Sequence, residues 1–244
     1  MFEGQPKGLY ALALANTGER FGYYTMLAIF ALFMQAKFGW TESQAGQVYA
    51  IFQAVVYFAP LFGVMLADKI GYGKCVTIGF VTMFLGYLGL AIPTDADTTG
   101  QVSMFAGLAC VSLGTGLFKG NLQVLVGNLY DDPKYAERRI DAFSLFYMAI
   151  NIGAMFAPSM AKWITNVYLG QFGFVYDAAN TNPEYLKALY GAYGLCFGVA
   201  CVSLVVSAII YFACRSWFKH ADVNAAQAKA AHKDDVELTP AQTK

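Results

Sequence analysis

Long apolar stretches separated by short polar breaks dominate this chain. Six helix-length segments can be drawn, over residues 9–36, 43–67, 74–93, 102–130, 141–168 and 188–214. Several exceed the roughly 20 residues a helix needs to cross the hydrocarbon layer, which predicts tilt or extension into solvent. The runs are too long for strands and lack sustained alternation, so helices are expected throughout. Polar breaks fall at Gly39 to Ser43, with a helix cap expected near Thr41, then at Asp68 to Lys74, Thr94 to Gly100 and Asp131 to Arg139, and in a longer loop around Asp177 to Glu184. The expected organisation is a six-helix transmembrane bundle over residues 1–214, followed by a tail or linker over 215–244. Within that tail, Ala225 to Lys233 reads as a short surface helix and the last ten residues as irregular. The stop at Lys244, without any closing element, leads to the expectation that the natural protein continues.

Composition places the chain in lipid. It is 57% hydrophobic and 13% charged, with a mean hydropathy of +0.46, whereas a soluble domain carries about 25% charged residues. The 20 Phe, 16 Tyr and 24 Gly suit closely packed membrane helices with aromatic interface belts. A formal net charge of zero gives no support to a nucleic-acid partner. The five cysteines lack metal-ligand spacing and read as small buried hydrophobes. No cleavable signal peptide is recognisable, so targeting falls to the first helix.

Charge asymmetry predicts the topology. Lys69 and Lys74 follow the second segment, Lys134, Arg138 and Arg139 the fourth, and Arg215 and Lys219 the sixth. The intervening loops carry Asp95, Asp97, Asp177 and Glu184 instead. Cation-rich loops stay in the cytoplasm, so both ends of this segment are expected there, in the inner membrane.

Ionisable residues inside apolar segments mark functional candidates, because they are expensive in lipid and face a protein interior or wet cavity. Lys119 lies well inside the fourth segment, beside Gly114, Gly116 and Gly120; the bland reading is a lysine snorkelling to an interface. On the first segment, Asn16, Glu19, Arg20, Tyr23 and Tyr24 fall at spacings that form one polar wall. Glu19 and Arg20 are neighbours about 100° apart on a helix, so they border one cavity without directly opposing each other. The Arg20 fork suits a carboxylate, either a side chain or a solute end group, and Glu19 is its structural counter-ion or a proton acceptor. No acidic residue occurs inside the other five segments, leaving Glu19 as the one deep partner for Lys119 within this chain. Tyr57, near Gln53 and Pro60, is a wall residue or a packing aromatic. Asn151 contacts solute or hydrogen-bonds across helices. Asp68 begins a loop where it clasps neighbouring helix ends, a gating role.

Three landmarks carry a family resemblance. They are Glu19-Arg20-Phe21-Gly22-Tyr23-Tyr24, Leu66-Ala67-Asp68-Lys69-Ile70-Gly71, and the run from Phe143 to Met155 with its central Asn151-Ile152-Gly153. Together they resemble the N-terminal half of a proton-dependent oligopeptide transporter of the major facilitator superfamily. The resemblance implies an all-α membrane protein that carries di- and tripeptides with protons. Arg20 and Asn151 would hold peptide termini, Tyr23, Tyr24 and Tyr57 would shape the pocket, and Glu19 and Lys119 would take part in proton coupling, Lys119 with a glutamate on a seventh helix. Two departures matter. Asn16 stands at the first glutamate position of the helix 1 motif and cannot titrate, and Gly120 replaces a proline common after the lysine.

The implied mechanism is symport driven by the proton gradient, without a cofactor or metal, between this half and a second six-helix half. The competing reading is a structural or assembly membrane module with no transport of its own. A channel lacks a filter-like repeat. Enzyme chemistry is not expected, since His220 and His232 lie beyond the last span and no serine or cysteine has an identifiable base.

Overall fold

In a computed structural model that describes residues 2–223, the chain is all-α. Six long helices follow one another: α1 (Lys7–Phe38), α2 (Glu42–Ile70), α3 (Tyr72–Ala91), α4 (Thr98–Asn128), α5 (Arg139–Gln171) and α6 (Pro183–Ala213). All six expected segments are present. Five run longer than drawn because caps and polar flanking turns remain helical beyond the apolar stretch, while α3 keeps the expected 20 residues, shifted by two toward its start.

The breaks obey local chemistry. Gly39 adopts a left-handed φ of 66° and ends α1, and Thr41 then opens α2 with a full capping box in which its hydroxyl accepts from the Gln44 amide. Asp97 caps α4 by accepting from the Gly100 amide at 2.8 Å, and Asn182 caps α6 ahead of Pro183. Each such cap contributes about 1 kcal/mol. Between α2 and α3 a single residue, Gly71, makes the connection at φ 100° and ψ 145°, a conformation closed to residues with a Cβ.

Helix α1 packs against α2, α4, α5 and α6, and α3 packs against α2, α4 and α6. Contact between α2 and α4 is at backbone range: a Cβ on Gly63 would stand 2.2 Å from the Gly116 carbonyl oxygen. With lipid on the outside there is little hydrophobic drive to pair helices, so close van der Waals approach is what holds them.

Five helical stretches are long and apolar enough to cross a membrane, those of α2 to α6; α1 is not among them. This corrects the expectation of six equivalent apolar spans. The reason is position. Asn16, Glu19, Arg20 and Lys37 of α1 are all buried, so the innermost helix presents its polar groups to protein and needs less lipid-compatible surface. Burial is least complete for the apolar stretches of α2 (22%) and Ala136–Gln171 (28%), against 50% for α4. Phe58, Leu61, Phe62 and Met65 of α2, with Tyr147, Met155 and Phe156 of α5, stand exposed.

Past α6 the chain folds back rather than leaving the bundle. Short 3-10 turns at Arg215–Trp217 and Lys219–Ala221 bury Phe218 against Tyr211. The Asp222 carboxylate then accepts from the Gly73 amide at 2.8 Å, and the Asn128 side chain donates to the Ala221 carbonyl at 2.9 Å. Packing therefore continues past the boundary expected at Arg215, because Asp222 satisfies an otherwise open amide at the start of α3. The surface helix expected over Ala225 to Lys233 lies outside the described residues.

Candidate functional site

The polar wall expected on α1 forms, and its members separate into two layers. Arg20 donates to both oxygens of Glu19: Nη2 reaches Oε1 at 2.6 Å, and Nε contacts Oε2. Neighbours on a helix diverge at their Cα atoms, yet both side chains are long enough to fold together into a two-pronged pair. Glu19 is completely buried and belongs to the inner layer. Tyr23 lies beside it, with its ring 4.8 Å from the Arg20 guanidinium and its hydroxyl donating to Gln53 of α2 at 2.6 Å. Buried charges carry a large desolvation cost, and this closed pair with an aromatic neighbour offsets it.

The outer layer faces a cavity of about 150 Å³ lined by Asn16, Arg20 and Tyr24 of α1, Lys119 and Gln123 of α4, and Phe146, Tyr147 and Ile150 of α5. Arg20 and Lys119 therefore share one cavity, while Glu19 does not line it. Lys119 is half-buried, and its ammonium sits 5.1 Å from the ring centroid of Tyr57. The pairing of Lys119 with Glu19 entertained from sequence is not formed. The fork of Arg20 on the same helix takes both oxygens of that carboxylate, and no carboxylate lies within 4 Å of Lys119 among the described residues. Two cations and one carboxylate leave the wall with one positive charge uncompensated.

Other predicted residues sit around this centre. Tyr57 is 67% exposed on α2 and approaches the cavity at Lys119. Asn151 of α5 is exposed and does not line the cavity. Asp68 accepts from the Tyr72 hydroxyl at 2.9 Å and so joins the ends of α2 and α3.

Several polar groups escaped the sequence reading. Gln123 lines the cavity one turn after Lys119, a spacing that exposes it to discovery. Asn121 is buried and donates to the Gly63 and Leu117 carbonyls, and Tyr87 on α3 is fully buried with no partner for its hydroxyl among the described residues. Thr17 bridges α1 to α5 by donating to the Ala149 carbonyl at 3.1 Å. Such contacts depend on which helices meet.

Known proteins share this architecture. The sequence model of the POT family (PTR2) matches residues 73–231. The chain is 37% identical over 179 residues to the peptide transporter YePEPT of Yersinia enterocolitica subsp. palearctica, covering 71% of this chain and 34% of that protein. It is 29% identical over 219 residues to dipeptide and tripeptide permease A of Citrobacter koseri, covering 88% and 37%. Among solved structures, the peptide transporter POT in complex with sulfate superposes with a TM-score of 0.73 at 28% identity, over 98% of this chain and 45% of that one. Tetrameric PepTSo2 superposes equally, with a TM-score of 0.73 at 28% identity over 86% and 41%. The chain thus spans about a third of the length of the curated relatives it matches. With the profile matched over more than half of its residues and the bundle shared with solved members, this chain belongs to the POT family, and its fold is that of a multi-span major facilitator bundle.

Proposed function

We propose that this chain supplies the N-terminal six-helix half of a proton-coupled symporter of di- and tripeptides in the cytoplasmic membrane. In this reading α1 counts as a sixth span, both ends of the segment lie in the cytoplasm, and residues 215–244 lead toward a second six-helix half. The observation that carries it is the cavity wall on which Arg20 and Lys119 together leave one uncompensated positive charge. A peptide brings a carboxylate to such a wall, and so does a protonatable side chain of an opposing half.

Size supports a shared site. Small-molecule pockets enclose roughly 300–1,000 Å³, and the cavity here holds about 150 Å³, the proportion of a half-site. The least buried helices, α2 and α5, carry the exposed apolar faces against which a second bundle would rock. The names of the relatives, peptide transporter and dipeptide and tripeptide permease, agree with the substrate class.

In this reading the residues take the following roles. Arg20 binds the peptide carboxylate, Tyr24 borders it within the cavity, and Tyr23 holds the Arg20 plane from behind. Tyr57 and Asn151 reach the peptide from the exposed rim. Lys119 exchanges between a carboxylate of the opposing half and solvent as that carboxylate gains and loses its proton. Glu19 sets the charge on Arg20, and Asp68 secures the α2–α3 junction during gating. The cation-rich connections all lie at the end of the bundle where α2, α4 and α6 finish, which supports a cytoplasmic assignment for that end.

The test is labelled dipeptide uptake by the full-length protein in proteoliposomes, with acid outside or with equal pH on both sides. Uptake accelerated by the gradient and abolished by a protonophore is expected. No uptake, or equal uptake under both conditions, overturns the proposal.

A further inference from the structure

A second crevice lies between the ends of α1, α3 and α6, away from the Arg20–Lys119 cavity. It holds about 290 Å³, with Phe33 and Lys37 on α1, Leu90 and Thr94 at the end of α3, and Tyr190 and Leu195 on α6. Lys37 is only 8% exposed. Its ammonium donates to the Thr94 hydroxyl at 2.6 Å and lies 5.3, 5.5 and 5.9 Å from the ring centroids of Phe33, Phe38 and Tyr190. Asp95 and Asp97 occupy the adjoining exposed turn, yet no carboxylate comes within 4 Å of Lys37 among the described residues.

That leaves an electrostatic deficit. An ammonium has three donors, and one is used here. Ring contacts recover only part of the hydration an ion loses on leaving water. An anion would close the gap.

The rest of the crevice describes what the anion is attached to. Gly191, Gly194 and Gly198 recur on one face of α6 over about 10 Å. Glycines at the α2–α4 crossing meet backbone at contact distance; here Gly191 packs against the Tyr168 ring of α5, where a Cβ would stand 3.1 Å from the hydroxyl oxygen, but the space at Gly194 and Gly198 is open. A Cβ on Gly198 would meet nothing within 4 Å, and one on Gly194 only the Ala91 carbonyl at 3.6 Å. Each glycine weakens a helix relative to alanine, and no close helix contact at Gly194 or Gly198 among the described residues explains that cost. The rim carries Ile92 and Leu195, 53% and 49% exposed, so the opening is apolar.

We propose that this crevice binds an anionic phospholipid, its phosphate paired with Lys37 and one acyl chain lying along Gly194 and Gly198. The inference rests on the membrane bundle and is independent of what the central cavity carries.

Native mass spectrometry of the full-length protein tests it, with phosphatidylglycerol, phosphatidylcholine of matched chains and soluble glycerol phosphate as probes. A phosphatidylglycerol adduct at least tenfold tighter than the phosphatidylcholine adduct is expected, with none from glycerol phosphate. Lys37→Gln and Gly198→Leu should each weaken that adduct at least tenfold, and Lys37→Arg should retain it. Gly198→Leu brings in a better helix former at an open position, so it carries the test should Lys37→Gln fail to fold. Equal binding of the two lipids, or binding indifferent to Gly198→Leu, overturns the proposal. A glycerol phosphate adduct as tight as that of phosphatidylglycerol overturns the lipid assignment in favour of a soluble anion.

Discussion

Arg20 and Glu19, adjacent in the chain, close a two-pronged ion pair inside α1, and only Arg20 of the two reaches the central cavity. Removing either partner strands a buried charge, which costs about 3–5 kcal/mol, whereas replacing both with apolar residues is far less damaging. Thermal unfolding in detergent should therefore rank Arg20→Met and Glu19→Met well below the double variant. Additive losses in the double variant would show that the pair is not energetically coupled.

Lys119 makes no ion pair among the described residues and is half-buried, so its loss should leave the fold intact. Lys119→Ala is expected to reach the membrane in normal amounts and to lose at least tenfold of gradient-driven dipeptide uptake, with exchange at equal pH retained. Unchanged gradient-driven uptake would remove Lys119 from the coupling scheme.

Gly63 and Gly46 lie on the same helix in opposite settings. A Cβ at Gly63 would collide with the Gly116 backbone at 2.2 Å, and one at Gly46 would meet nothing within 4 Å. Gly63→Ala should push α2 off α4 and destabilise the protein by about 1–3 kcal/mol, as overpacking does. Gly46→Ala should be neutral or stabilising by up to about 1 kcal/mol through helix propensity. Comparing their melting temperatures checks both at once.

Tyr130, just beyond α4, is 1% exposed and donates to the Gln5 side chain at 2.5 Å. Burial raises its pKa above the ordinary tyrosine value. A raised folded-state value means that its stabilising contribution is complete below the unfolded value of about 10 and falls away as pH climbs through the folded value. Stability measured from pH 9 to 11 should therefore decline at the alkaline end, and Tyr130→Phe should remove up to one proton from the linked release on unfolding. An identical alkaline slope in the variant would show that Tyr130 is not linked.

Much of the cavity wall is legible in the sequence. Residues 16, 19, 20, 23 and 24 fall at helical spacing, so a shared wall follows from 3.6 residues per turn. Lys119 stood out because an isolated cation is conspicuous in an apolar run. The Glu19–Arg20 pair was harder: backbone geometry separates the two, and their closure depends on side-chain reach within a packed interior. Asn121, Tyr87 and Thr17 went unnoticed because hydroxyl and amide groups are common in membrane helices and acquire meaning only from the helix they face. Lys37 was passed over for a different reason. A lysine near a helix end looks like an ordinary interfacial cation, and its burial follows from rings contributed by α1 and α6 together.

Hydropathy, caps and glycine breaks were sufficient to determine six helices, their approximate limits and the membrane character of the bundle, because those properties depend on nearby residues and on solvent. Which helix lies at the centre, which carboxylate Arg20 captures, and where the chain docks after α6 were decided by tertiary packing. Those outcomes turn on close approach between segments distant in sequence, as when the Asp222 carboxylate meets the Gly73 amide.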